Sequence, residues 1–196
     1  EKADAPETRQ FFTPNTYIEN QRQWGKVCFG SKYTMAYGGC EIFAAYNALL
    51  SLGREMSGQE LVELISAFER KGVVLAGYFG SAPKAAYHYL RKCGYKVRLV
   101  SSREESVINA LGEESDTVIV TVYNDGRDIF RMIHTVNISK DEEGKYYGHN
   151  CYKMQKDASG GTVFVSQGPH ESLCEVIREM SGGKAAVLCV IGISKK

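Results

Sequence analysis

The sequence has no run approaching the roughly 18 uncharged apolar residues that a membrane-spanning helix needs. Its best candidates, such as Ala185 to Ser194, have the length of buried strands. Charge of a dominant sign is also missing. The 24 Lys and Arg stand against 23 Asp and Glu, so no long-range field favours nucleic acid, an anionic membrane or a strongly charged substrate. The six cysteines (Cys28, Cys40, Cys93, Cys151, Cys174 and Cys189) are too sparse for a disulfide scaffold, and none forms a CxxC pair. With no HExxH pattern and no paired Cys/His spacing, neither a metal nor a cofactor is expected. There is no repeat, low-complexity block or linker to divide the chain. Function is therefore sought in a local site.

What is present is ordinary globular material, 196 residues with 43% hydrophobic and 24% charged, enough for one domain with a real core. The chain opens at Glu1 without Met, and Glu1 to Gln10 is polar and charged. This fits an expression fragment or a soluble chain, secreted or at a cell surface, whose targeting segment has been removed. Residues 1–30 lack periodicity, but Phe11, Phe12, Tyr17 and Trp24 mark them as an extension packed over a main domain of residues 31–196.

Within that domain helices come first. Ile42, Phe43, Tyr46, Leu49 and Leu50 recur at helical spacing up to Gly53. Ser57-Gly-Gln-Glu60 has capping-box spacing and predicts a helix over 58–70. Another is expected between Pro83 and Gly94. A strand, Lys96 to Val100, precedes a helix capped by Ser102-Arg-Glu-Glu105 that ends near Gly112. From Thr117 the pattern is mostly β. Thr117 to Tyr123, Ile129 to Ile138, Lys145 to Lys153, Thr162 to Val165 and Ala185 to Ile193 read as strands, with a turn at Asn124-Asp-Gly126 and a helix over 171–180. Helices followed by strands predict an α+β fold, a helical N-terminal half packed on an antiparallel sheet.

Cys40 follows Gly38-Gly39 and opens the first apolar helix, where unpaired N–H groups and the helix dipole favour a thiolate. The glycines are expected to leave the backbone bare beside the sulfur, so that an oxyanion accepts from the Cys40 N–H. Taken alone, such a cysteine reads first as a small core residue, and it is its position that points to catalysis. His134 lies 94 residues later on a strand that can aim it at a helix terminus. Asn150, 16 positions beyond His134, falls on the neighbouring strand, where its carbonyl can accept from the ring N–H and fix the tautomer. Asparagine near a strand end is otherwise a turn or cap residue. His88 reads as a helix surface residue, His149 is expected to face away from Asn150, and His170 is placed at a helix start.

This order of Cys on a helix, His on a strand and Asn on the next strand resembles the papain-like cysteine peptidases. It is most similar to the bacterial branch related to bacteriocin-leader-processing peptidases. Gly80-Ser-Ala-Pro83 matches that branch's entry to a later helix, Gly94-Tyr95 its entry to a strand, and His134-Thr-Val136 its His-x-Val; the likeness spans roughly 31–193. The resemblance implies a papain-like fold and a catalytic triad of Cys40, His134 and Asn150 that cleaves a peptide or amide. It also implies a glutamine donor six positions before the cysteine. Thr34 stands there, and its hydroxyl is expected to share the oxyanion hole with Cys40. That departure motivates a second reading, a binding or regulatory module on an inactive scaffold. An acyltransferase using the same three residues is a third.

Overall fold

The structure, a computed structural model, describes residues 12–71, 74, 80–82, 84–123, 133–183 and 186–196. The expected Asn124-Asp-Gly126 turn, the Pro83 helix start and the Glu1 to Gln10 segment lie outside these residues. In chain order, a 3-10 turn at Gln21–Trp24 leads to β1 (Cys28–Phe29), β2 (Tyr33–Thr34), α1 (Met35–Gly38), α2 (Cys40–Ser51), α3 (Gly58–Lys71) and α4 (Ala85–Lys92). Then follow β3 (Lys96–Val100), α5 (Glu105–Glu113), β4 (Thr117–Tyr123), β5 (Ile133–Lys140), β6 (Tyr146–Lys156), β7 (Thr162–His170), α6 (Leu173–Met180) and β8 (Ala186–Ser194).

Local chemistry accounts for most boundaries. Residues 41–49 of α2 are all buried, which makes it a central helix rather than an amphipathic surface one. It stops in a paired turn in which Gly53 N–H donates to Leu50 O and Arg54 N–H to Leu49 O, with Gly53 at φ +79. The capping box before α3 closes in both directions, Glu60 N–H to Ser57 Oγ at 3.3 Å and Ser57 N–H to Glu60 Oε2 at 2.6 Å. Before α5 the expected box does not form. Ser102 Oγ accepts from Glu104 N–H at 3.1 Å, closing a turn one step ahead of the helix, and Glu104 takes the cap position. Strand β7 runs on to His170, beyond the expected end at Val165, because it continues to pair with β6 as far as Tyr146–His170.

The fold is α+β. A six-stranded antiparallel sheet in the order β3-β8-β4-β5-β6-β7 separates two apolar clusters. On one face Ile119, Ile191 and Ile193 pack with α2, α3, α4 and the N-terminal segment, through Phe43, Tyr46, Leu64, Phe68, Leu90, Ile18 and Trp24. On the other, Val118, Val120, Val122, Val136 and Ile138 pack beneath α5 and α6. The expectation of helices on one side of a sheet is thus half of the arrangement, since α5 and α6 cover the second side. The N-terminal segment gives Ile18, Trp24, Val27 and Phe29 to the core. Trp24 meets Phe43 at 5.0 Å between ring centroids, and both the N–H and C=O of Ile18 are bonded by the side chain of Asn47, at 2.9 and 3.0 Å. No helix among the described residues is long and apolar enough to cross a membrane.

Candidate active site

A gap in the sheet defines the site. Strand β5 pairs with β6 only from Asn137 to Lys140, so its first half, Ile133 to Val136, has an edge without a β6 partner. The gap exists because β6 bulges. Between the Gly148–Gln167 and Lys153–Val165 pairs, β6 carries residues 149–152 where β7 carries Ser166. Asn150 and Tyr152 in this bulge are left-handed, at φ 61 and 58. Asparagine tolerates that region; tyrosine adopts it at a cost of about 1–3 kcal/mol and only when its surroundings enforce it.

The start of α2 seats against the open half of β5. The Cys40 sulfur is met by the backbone and hydroxyl of Thr135 and by the Glu41 N–H, all of which favour its thiolate. Burial outweighs them and pushes the thiol above its usual range, and the neighbouring Glu41 carboxylate adds to the rise. The expected helix-start acidity is therefore not what governs this cysteine at rest, because desolvation opposes the charged form more strongly than the helix terminus favours it. Glu41 itself is 2% exposed, and burial pushes its carboxyl up to about 7. It accepts from Ser81 Oγ at 2.6 Å and from Ala86 N–H at 2.9 Å, which ties Ser81 and Ala86 to the first turn of α2.

His134 is the residue before Thr135. Its Nε2 lies 2.9 Å from the main-chain oxygen of Asn150. A carbonyl only accepts, so Nε2 carries the proton and Nδ1 carries the lone pair of the neutral ring. The bond runs to the backbone of Asn150, while its side chain is engaged elsewhere: Oδ1 accepts from Gln21 N–H at 3.0 Å and Nδ2 donates to Gln21 Oε1 at 3.1 Å. Burial is the largest influence on His134 and lowers its pKa; the Asn150 carbonyl raises it and the Arg22 charge lowers it further. The imidazole is consequently neutral at neutral pH.

Tyr152 joins the two halves. Its ring stacks on His134 at 5.3 Å between centroids and 18° between planes, and Arg22 lies over it at 4.4 Å. Its hydroxyl is pushed up to about 12, first by burial and then by the nearby Cys40 charge. Among the described residues no hydrogen bond joins the Cys40 sulfur directly to the His134 ring. Register explains why: His134 pairs with Val122 on the face opposite Thr135, so Cys40 meets the strand through Thr135 and shares Tyr152 with the histidine.

The remaining expectations fall differently. Thr34 pairs with Cys28 in the small β1–β2 ribbon, half-buried, and its hydroxyl does not cap α1. Gly39 is required by packing rather than by access to the sulfur, since a Cβ there would lie 2.5 Å from Met35 O. All six cysteines are free; Cys174 and Cys189 are buried, Cys28 and Cys93 exposed, and Cys40 and Cys151 between. His170 ends β7 instead of starting a helix and is bonded to Glu179. His149 does not face away from Asn150, because the left-handed Asn150 breaks the alternation. Both reach the N-terminal segment, His149 through Glu19 and Asn150 through Glu19 and Gln21. Arg22, Tyr152, Gln21 and Glu19 carried no local signal. Three lie in the aperiodic stretch before residue 30, and Tyr152 in the sequence is one aromatic in a strand. Among the described residues no three His, Cys, Asp or Glu side chains form a group able to hold a metal ion. No family model and no curated protein matches the chain.

Proposed function

We propose that the chain is a papain-like cysteine hydrolase that cleaves a peptide or amide bond through a thioester on Cys40. The observation that carries the reading is the seat of Cys40 at the start of α2 against Thr135 at the open edge of β5, the residue after a histidine that Asn150 holds in one tautomer and that stacks on a tyrosine within electrostatic reach of the thiol. With both groups neutral at rest, attack is a coupled step. As Sγ bonds to the substrate carbonyl carbon, its proton passes by way of one water to His134 Nδ1, the nitrogen that the Asn150 carbonyl does not engage, since sulfur and ring make no direct hydrogen bond among the described residues. The oxyanion accepts from the Cys40 N–H. His134 then protonates the leaving amine as the C–N bond breaks. Water, losing its proton to Nδ1, opens the thioester to the acid and the free thiol.

Alkylation of Cys40 by iodoacetamide, read by peptide mapping to separate it from exposed Cys28 and Cys93, tests this. Direct ionisation of a thiol raised above 9.0 yields a rate that climbs only in alkali; assistance by an imidazole lowered below 6.5 adds a pH-independent plateau between the two. The parent is expected to show the plateau and His134→Ala to lose it. A parent with the alkaline limb alone favours the second reading, an inactive binding or regulatory module, to which the neutral resting pair also lends support.

A further inference from the structure

We propose that Glu19 and Gln21, from the segment preceding the main domain, are positioning residues for His134, acting by locking the Asn150 peptide that holds its ring. The inference rests on the hydrolase reading for its catalytic meaning, but its contacts stand independently.

Asn150 is gripped on every polar group except the carbonyl that serves His134. Its N–H donates to Glu19 Oε2 at 2.8 Å, its Oδ1 accepts from Gln21 N–H at 3.0 Å, and its Nδ2 donates to Gln21 Oε1 at 3.1 Å. Gln21 is 3% exposed and anchored in turn by donating from Nε2 to Ala36 O at 2.9 Å, in α1 just ahead of Cys40. An asparagine in a strand has no reason of its own to be left-handed. The three bonds from residues about 130 positions away impose that conformation, and it directs the carbonyl to His134 Nε2.

Glu19 is itself braced. Its Oε1 lies 2.6 Å from His149 Nδ1, and His149 Nε2 lies 2.8 Å from Ser139 Oγ. These are the distances of a serine triad, but the arrangement is closed to substrate: the Tyr17 ring stacks 3.7 Å above His149, its hydroxyl bonds Ser139, and Ser139 is 8% exposed. His149 is therefore a strut. It donates from Nδ1 to Glu19, accepts from Ser139 at Nε2, and fixes the carboxylate that fixes Asn150.

The test reads ring tautomers by long-range proton–nitrogen spectra of 15N-labelled protein, with His134→Ala assigning the resonance, alongside Cys40 alkylation in the plateau. The parent is expected to hold His134 as Nε2–H. Glu19→Ala and Gln21→Ala are expected to mix the two tautomers and slow plateau alkylation about 10- to 100-fold, the loss that follows a misplaced base. Folded Ala variants with the parental tautomer and rate overturn the proposal. Should they not fold, Glu19→Gln decides. Its amide has one acceptor, so His149 reports where it points: a His149 switched to Nε2–H means Asn150 is still held and His134 must be unchanged, whereas an unswitched His149 means Asn150 is released and His134 must lose its single tautomer. Either mismatch overturns the inference. Failure of the hydrolase reading is separate, appearing as a parent plateau absent or indifferent to His134→Ala, and leaves the tautomer result to stand.

Discussion

Strands β4 and β5 bury both their faces, and the two faces are made differently. Val118, Val120, Val122, Val136 and Ile138 form an aliphatic sheet under α5 and α6. Alternate positions Thr117, Thr121, Thr135, Asn137 and Ser139 form a polar layer under α2 and the N-terminal segment, equally hidden from water. The aliphatic face needs only volume and shape. The polar face is tolerated because most of its groups are bonded: Thr121 and Thr135 hydroxyls at 3.1 Å, Asn137 Nδ2 to Thr117 Oγ1 at 2.8 Å and to Val118 O at 3.0 Å, and Ser139 to His149, while Asn137 Oδ1 is buried with no hydrogen-bond partner among the described residues. Period-two alternation thus lets one ribbon supply adhesion on one side and oriented donors beside a thiol on the other.

The contrast is tested most severely by separating chemistry from stability. Cys40→Ala on the polar side is expected to reduce thiol-dependent hydrolysis to background, a loss of about 10³-fold or more, with a melting transition close to the parent's. Leu173→Ala, fully buried against the aliphatic side, is expected to do the reverse. It should cost about 2–5 kcal/mol in denaturant unfolding while leaving the Cys40 alkylation rate of the folded protein unchanged. Equal damage to both readouts by either variant would dissolve the distinction.

Glu41 sharpens it through pH. Its carboxyl is raised from the usual 4.5 to about 7 by burial, so the folded state binds a proton that the unfolded state has released across that window. Its contribution is therefore favourable at low pH and is lost as pH rises from about 4.5 to about 7, amounting to roughly 3 kcal/mol at about 1.4 kcal/mol per pKa unit. Glu41→Gln, which can still accept from Ala86 N–H and donate to Ser81, should flatten that part of the stability profile, measured by urea titrations at pH 5 and pH 8. The smallest effect is expected outside both faces. Arg98 and Glu114 meet at 2.6 Å with side chains 62% and 61% exposed, and Glu114→Gln should change unfolding free energy by no more than about 0.5 kcal/mol and leave alkylation untouched.

Much of the scaffold was legible in the sequence. Apolar spacing from Ile42 marked α2, Ser57 and Glu60 marked the start of α3, and the β-branched run marked β4 from Thr117 to Tyr123. The covering of the second sheet face by α5 and α6 was not legible, because amphipathic spacing identifies an apolar stripe without saying which sheet face it meets. At the site, Cys40, His134 and Asn150 stood out by residue type and local context. The neutral resting state of the thiol did not, since burial is a sum over distant neighbours.

By itself, then, the sequence determined where helices and strands form, which residues they bury, and that a cysteine opens a helix, all consequences of chemistry repeating within a few residues. The tertiary structure alone decided that the backbone of Asn150, rather than its amide, holds His134, and that Glu19 and Gln21 hold Asn150. Those partners are separated by 129 and 131 residues, and hydrogen bonds of such span leave no periodic trace; they exist only once the sheet has been assembled against the N-terminal segment.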